Sequence, residues 1–116
     1  MTQRTERIQT LAKQILGEAI HDLKDPRVGF TTITAIRVTP DLRHARISVS
    51  VLGSPEEQTL TMSGLTSAKP HLRAELGRQM RLKYLPELEF ELDTGPEEAA
   101  RLEGLLRKIH EEEDRE

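Results

Sequence analysis

The chain has 116 residues, a formal net charge of −3 and no cysteine. This length is sufficient for one domain with its own core, and the lack of cysteine excludes disulfides, thiolate metal sites and a cysteine nucleophile. No segment has the apolar length of a signal peptide or a membrane span, so we expect a cytoplasmic protein with no membrane partner.

Charge is distributed unevenly along the chain. Residues 1–90 carry 13 Lys/Arg against 10 Asp/Glu, a net +3, whereas residues 91–116 carry 4 against 10, a net −6. Because the acidic residues are concentrated near the C-terminus, the acidic total is compatible with a basic face on the body of the protein.

The first half of the chain predicts a helix followed by a β-hairpin. Between residues 2 and 24, apolar side chains recur at helical spacing and define one buried stripe: Ile8, Leu11, Ile15, Ala19 and Leu23. Pro26 ends this helix. Residues 30–38 are rich in β-branched side chains, and residues 43–52 alternate between apolar and polar side chains. A Thr-Pro-Asp-Leu turn at residues 39–42 joins them.

The second half predicts two helices separated by a break, then a strand and a last helix. Ser54, Pro55 and Glu57 supply a helix start, and Pro70 interrupts the helix after Ala68. A further helix follows to about Lys83. Residues 87–93 alternate between apolar and acidic side chains, as in a strand with one solvated face.

The C-terminal segment predicts a helix and a tail. Residues 96–110 carry apolar side chains at helical spacing: Ala99, Leu102, Leu105, Leu106 and Ile109. Residues 111–116 are all charged, and we expect them to be disordered.

The element order predicts an α+β domain in which helices cover one face of a three-stranded sheet. This order is similar to the type II KH fold, in which two helices separated by a short break form the nucleic-acid-binding edge. We therefore expect a KH-like RNA-binding domain at residues 1–93. A C-terminal helix at residues 94–110 packs on it or extends from it, and an acidic tail follows at residues 111–116.

The segment from Lys69 to Lys83 is the candidate RNA-binding surface, because it carries five Lys/Arg and one acid. Cations at this density suit an RNA backbone, where each neutralised phosphate releases counterions. The candidate contacts are Lys69, His71, Arg73, Arg78, Arg81 and Lys83. A solvated helix face with no ligand is the alternative. The chain has three aromatic residues, Phe30, Tyr84 and Phe90, and the two phenylalanines fall in strand patterns and are predicted to be core. Base stacking is therefore the weaker possibility, and recognition of backbone and shape is favoured over bases.

The sequence gives little support for an enzyme, a metal or a cofactor. The four histidines lack the short spacings of metal sites, no glycine-rich phosphate loop precedes a helix, and no nucleophile motif is present. We expect no small-molecule substrate.

Three stretches carry a resemblance to a known family. They are Leu23-Lys24-Asp25-Pro26-Arg27-Val28-Gly29-Phe30, the hairpin from Thr32-Ile33-Thr34 to Asp41-Leu42 and Ala45, and Met80-Arg81-Leu82-Lys83 with Leu85-Pro86-Glu87-Leu88-Glu89-Phe90. In order and spacing, residues 3–93 resemble the bacterial ribosome-binding factor A family.

The resemblance implies a monomeric KH-type protein without catalysis that binds the small (30S) ribosomal subunit. It also implies a role in late maturation of 16S rRNA, notably its 5′-end region. In that family an Ala-x-Gly kink joins the two helices; here the kink is Ala68-Lys69-Pro70, with proline in place of glycine. Arg27, in the family's signature turn, is a further candidate RNA contact. The competing hypothesis is a protein-interaction module in which the basic helix is incidental.

Overall fold

The computed structural model describes residues 3–114, and its elements follow the predicted order. The elements are helix α1 (Gln3–His21), strands β1 (Thr31–Val38) and β2 (His44–Val51), helices α2 (Pro55–Ser67) and α3 (Lys69–Met80), strand β3 (Glu87–Leu92) and helix α4 (Gly95–Asp114). The architecture is therefore the predicted α+β, type II KH-like fold with an added C-terminal helix.

The three strands form one sheet in the order β1-β2-β3. Strands β1 and β2 are antiparallel, and β2 and β3 are parallel. The central strand contributes Ile47 and Val49, both fully buried, to a core that helices α1, α2 and α3 cover from one side. The opposite face of the sheet carries polar and charged side chains.

Strand β1 contains a bulge that the alternation pattern does not reveal. The register with β2 shifts between Ile33 and Ala35, and the Thr34 hydroxyl donates to the Ser48 carbonyl at 3.2 Å. A bulge adds one residue to a strand, so side chains three positions apart can face the same side. Ile33 and Ile36 are consequently both buried.

The buried face of α1 is rotated around the helix axis relative to the predicted one. Its buried residues are Ala12, Ile15, Leu16 and Ile20, whereas Leu11 is exposed. The helix contacts both β1 and α3, so its buried face is rotated toward Leu16 and Ile20. The helix also ends at His21, before the predicted Lys24.

The prediction that Phe30 is a core residue is wrong. Phe30 is 71% exposed because β1 begins one residue later, at Thr31, which leaves the ring beyond the end of the sheet. Phe90, on β3, is partly buried and packs against the core.

Helix α4 extends from the body instead of packing on it. Its apolar side chains Leu102, Leu105, Leu106 and Ile109 are exposed, and its first turn is held by a hydrogen bond from Gln58 Nε2 to Glu97 Oε1 at 2.8 Å. The helix continues to Asp114, so the expected disorder is not found at residues 111–114. Glutamates favour helix, which accounts for the extension. Arg115 and Glu116 lie outside the described residues.

Candidate nucleic-acid interface

The break between α2 and α3 is a single residue, Ala68. Its backbone is in the right-handed helical region, and its N–H donates to the carbonyls of Gly64 and Leu65 at 3.0 and 3.1 Å. Lys69 and Pro70 are the first residues of α3, where a helix has no partner for its N–H groups. Pro70 therefore removes no helical hydrogen bond.

Helix α3 is fixed to the body by Leu72 and Leu76, which are buried. At about 100° per residue, Arg73 and Arg78 lie about 140° apart around the helix axis. The predicted basic segment is therefore divided between two flanks of the helix, one toward β3 and one toward α1.

Arg73 is engaged in holding the loop that precedes β3. Its Nε donates to the Pro86 carbonyl at 2.8 Å and its Nη2 to the Leu85 carbonyl at 3.2 Å. The same Nη2 lies 3.2 Å from Glu87 Oε1, and the side chain is 30% exposed. This guanidinium fixes the loop and is already partly neutralised.

Arg78 and His71 lie on the opposite flank, toward α1. Arg78 Nη2 donates to Glu75 Oε2 at 2.7 Å. Hydrogen bonds from Arg78, which has the larger effect, and from Gln79 hold the pKa of Glu75 below its usual range. Both predicted contacts line a groove of about 390 Å³ that also contains Glu18 and Asp22 of α1. Acidic side chains thus surround this pair of candidates.

Arg81 and Lys83 lie beyond the end of α3, which stops at Met80 and not at Lys83 as predicted. Arg81 adopts a left-handed backbone with φ of 54°, which ends the helix. Both side chains are exposed, and no acidic side chain within residues 3–114 forms a salt bridge with either. They present uncompensated positive charge.

Tyr84 and Arg43 accompany these two cations. The ring of Tyr84 is 59% exposed, with the Lys83 Nζ 5.5 Å and the Arg43 Cζ 5.2 Å from its centroid. Arg43 precedes β2, and it reaches this loop because the Glu87 N–H donates to the Arg43 carbonyl at 2.7 Å. We name Arg43, Arg81, Lys83 and Tyr84 the loop-end cluster.

Sequence reasoning missed Arg43 and gave Tyr84 no role. Parallel pairing of β2 with β3, which puts His44 opposite Glu87, brings the two regions together. Nothing local to Arg43 indicates this neighbour, because the contact joins positions far apart in the chain. The available signal was that this tyrosine directly follows Arg81-Leu82-Lys83 in the sequence.

Lys69 lies apart from the loop-end cluster. It lines a groove of about 670 Å³ together with Arg37, His44 and Arg46, and with Glu87 and Glu89. Positive and negative side chains alternate there, and Arg46 lies 4.0 Å from Glu89 and 3.9 Å from Glu91. This groove carries mixed charge.

Arg27 belongs to the turn between α1 and β1. Its Nη2 and Nε donate to Asp25 Oδ2 at 2.7 and 3.2 Å, and its backbone N–H donates to Asp25 Oδ1 at 2.9 Å. The hydrogen bonds hold the pKa of the Asp25 carboxyl below its usual range, and those from the Arg27 side chain have the largest effect. The side chain of Arg27 also borders a groove of about 600 Å³ along α2.

Two residues of α2 hold this turn in place. Thr61, fully buried, donates from its hydroxyl to the Arg27 carbonyl at 3.2 Å and accepts from the Gly29 N–H at 3.1 Å. Gly64 lies one helical turn away, and a Cβ there would collide with Val28. The signature turn is thus built by packing on α2.

The described residues contain no group suited to a metal. Within residues 3–114, no three His, Asp or Glu side chains are gathered as metal ligands. In the same range, no helix combines the length and apolar character needed to cross a membrane.

Comparison with known proteins identifies the family. The family model described as ribosome-binding factor A matches residues 4–106. The chain belongs to this family. A ribosome-binding factor A from Geotalea daltonii is 37% identical over 121 residues, covering 100% of this chain and 98% of that protein. The family match ends within α4, so the last turns of that helix lie outside it.

Solved structures of this family share the fold. The solution structure of a putative ribosome-binding factor A from Thermotoga maritima is 34% identical, with a TM-score of 0.72 over 80% of this chain and 90% of that one. A Thermus thermophilus ribosome-binding factor A model fitted into a cryo-EM map of a 30S complex is 30% identical, with a TM-score of 0.62 over 73% and 90%.

Proposed function

We propose that this chain binds the small (30S) ribosomal subunit and assists late maturation of 16S rRNA, notably its 5′-end region, without catalysis of its own. The observation that carries the proposal is the likeness to the Thermus thermophilus protein fitted into a 30S complex, at 30% identity and a TM-score of 0.62. We further propose that it acts in the cytoplasm as a monomer with no cofactor.

The charge arrangement supports RNA contact at the loop-end cluster. Arg81 and Lys83 are exposed and have no acidic partner within residues 3–114, so each can neutralise a phosphate at no cost in internal ion pairs. The remaining proposed contacts, Lys69, His71, Arg27 and Arg78, face acidic neighbours or lie at other places on the surface. Arg73 acts by fixing the loop.

Deleting the gene in its host and analysing ribosomal RNA tests the maturation role. We expect accumulation of free small subunits and of 16S rRNA with an unprocessed 5′ end. The tagged protein should sediment with free small subunits. Sedimentation only with mature ribosomes, together with normal 5′ ends, would refute the proposal.

A second candidate function is protein interaction, and helix α4 favours it. The apolar side chains of α4 are exposed, and the helix carries 3 Lys/Arg against 7 Asp/Glu, most of these acids at its two ends. An uncovered apolar face on an acidic helix suits a basic protein surface and not RNA. Under this hypothesis, removing residues 99–116 would abolish small-subunit binding, whereas replacing Arg81 and Lys83 by glutamine would leave it unchanged. Under the RNA-binding proposal, removing residues 99–116 leaves small-subunit binding in place, and the double glutamine variant weakens it.

A further inference from the structure

The loop-end cluster combines an exposed aromatic ring with three cations, of which Arg81 and Lys83 have no acidic partner within residues 3–114. We propose that Tyr84 stacks on an unpaired nucleobase. In this proposal Arg43, Arg81 and Lys83 hold the flanking phosphates. The inference rests on the proposed RNA-binding function and deepens it, because it names the kind of nucleotide that the site takes.

The ring is available to a ligand. Tyr84 is 59% exposed, whereas its neighbour Leu85, 43% exposed, contacts α3 at the space left by the missing Cβ of Gly77. Because Leu85 carries the contact with α3, the tyrosine ring is free to serve another purpose. Aromatic rings of this kind form stacking platforms for single-stranded nucleic acids.

The loop presents the ring in a fixed place. Arg73 donates to the carbonyls of Leu85 and Pro86 at 3.2 and 2.8 Å, and Pro86 is buried. On the other side, the Glu87 N–H donates to the Arg43 carbonyl at 2.7 Å. These bonds tie both sides of the site to the sheet and to α3, which reduces the ordering cost of binding.

The cations around the ring suit the chemistry of a nucleotide. Arg43 and Lys83 lie 5.2 and 5.5 Å from the ring centroid, within the range of a cation–π interaction. Both side chains are long and exposed, so each can leave the ring face for a phosphate while a base takes its place. A stacked base needs no particular hydrogen-bond pattern, so the site should accept any unpaired nucleotide.

The sequence provides a direct optical test, because Tyr84 is the only tyrosine and the chain has no tryptophan. Emission excited at 280 nm therefore reports on this ring alone. We expect single-stranded hexaadenylate to quench the emission of the full chain. A hexamer made of abasic sugars and a blunt RNA duplex should both bind without quenching the emission. Binding of each RNA is measured separately by the fluorescence anisotropy of a label at its end.

Three variants give an independent measurement. Tyr84→Leu should weaken binding of labelled hexaadenylate by about fivefold or more, which is the lower end of the loss of one base stack. Tyr84→Phe keeps the ring and should bind as the wild type does. Phe30→Leu removes a ring that is even more exposed, 71% against 59%, at the opposite end of the hairpin, and should also bind normally.

The outcomes separate this inference from the function on which it rests. If wild-type chain binds RNA with strong salt dependence but emission is unchanged and Tyr84→Leu binds normally, stacking is refuted while RNA binding stands. If the wild type binds no RNA, both fail. If an acidic peptide quenches emission and hexaadenylate does not, the site binds protein and the inference is overturned.

Discussion

At the scale of single residues, the candidate arginines differ in what they already bind. Arg27, Arg73 and Arg78 each pair with a nearby carboxylate, whereas Arg81 and Lys83 have no such partner within residues 3–114. A paired guanidinium offers less net charge to a phosphate, because its counter-charge is held by the protein itself. Counts of cations in a segment therefore overstate its capacity to bind RNA.

Arg73→Gln should lower the free energy of unfolding by about 1–2 kcal/mol, because it removes hydrogen bonds to two loop carbonyls. Arg81→Gln removes the same charge from an exposed position and should change stability by less than about 0.5 kcal/mol. Urea unfolding followed by circular dichroism measures both. Equal stability of the two variants would mean that Arg73 does not hold the loop.

Thr61→Val tests how the turn between α1 and β1 is fixed. The valine keeps the shape but leaves the Gly29 N–H and the Arg27 carbonyl without their partner, so we expect a loss of about 1–3 kcal/mol in unfolding free energy. Thr59→Val, an exposed threonine on the same helix, is the control. A loss no larger than that of the control would contradict this role.

Several residue-scale features could not be read from the sequence. The alternation in residues 43–52 predicts one buried face, and Ile47 and Val49 on that face are fully buried. The prediction that Phe30 is buried is wrong because β1 begins one residue later than predicted, at Thr31. Arg43 was missed because its neighbour, Tyr84, is supplied by parallel strand pairing, which has no local signal.

At the scale of elements, the turn containing Asp25 and Arg27 should give stability a dependence on acid pH. Arg27 holds the pKa of Asp25 below its usual value of about 4, so the ionised carboxyl stabilises the fold above that pH. This contribution is lost as the pH falls through the lowered, folded-state pKa.

Asp25→Asn should therefore be less stable than wild type at pH 7, with a difference that shrinks below about pH 4. Urea unfolding at pH 7 and at pH 3 measures it, and Asp22→Asn controls for the loss of one negative charge. A difference that is the same at both pH values would show that the ion pair contributes nothing.

Periodicity predicts helix α4 but does not decide whether the helix packs on the body. Periodicity shows that a helix has an apolar face and does not say what covers that face. In the structure those side chains are exposed, so the helix extends from the body. The helix was predicted to end at His110, but it continues to Asp114. The charged composition of residues 111–114 shows only that these side chains are in solvent, and glutamates can be solvated in a helix as well as in a disordered tail.

Removing residues 99–116 should leave the body folded, with unfolding free energy within about 1 kcal/mol of wild type, because the lost apolar side chains are exposed. Affinity for random-sequence RNA should rise, since the removed residues carry 4 Lys/Arg against 6 Asp/Glu, a net −2. Exchanging Glu111, Glu112 and Glu113 for glutamine tests charge at constant length. Unchanged affinity in both variants would refute an electrostatic role for α4.

At the scale of the whole molecule, charge is separated between a basic body and an acidic C-terminal helix. The loop-end cluster adds three exposed cations at one end of the sheet, where the hairpin turn and the loop before β3 meet. The fold class followed from the order of elements, because that order admits few packings of three strands and their helices. The position of the cluster followed only from how the strands pair.

The salt dependence of binding to purified small subunits tests the central claim most directly. Affinity should fall steeply with salt, and the double variant Arg81→Gln/Lys83→Gln should bind more weakly at low salt, with a log–log slope flatter by about two units. Arg78→Gln, which removes a charge paired with Glu75, is the matched control and should change the slope less. Affinity that does not change with salt, or a double variant indistinguishable from wild type, would contradict the assignment of RNA binding to this cluster.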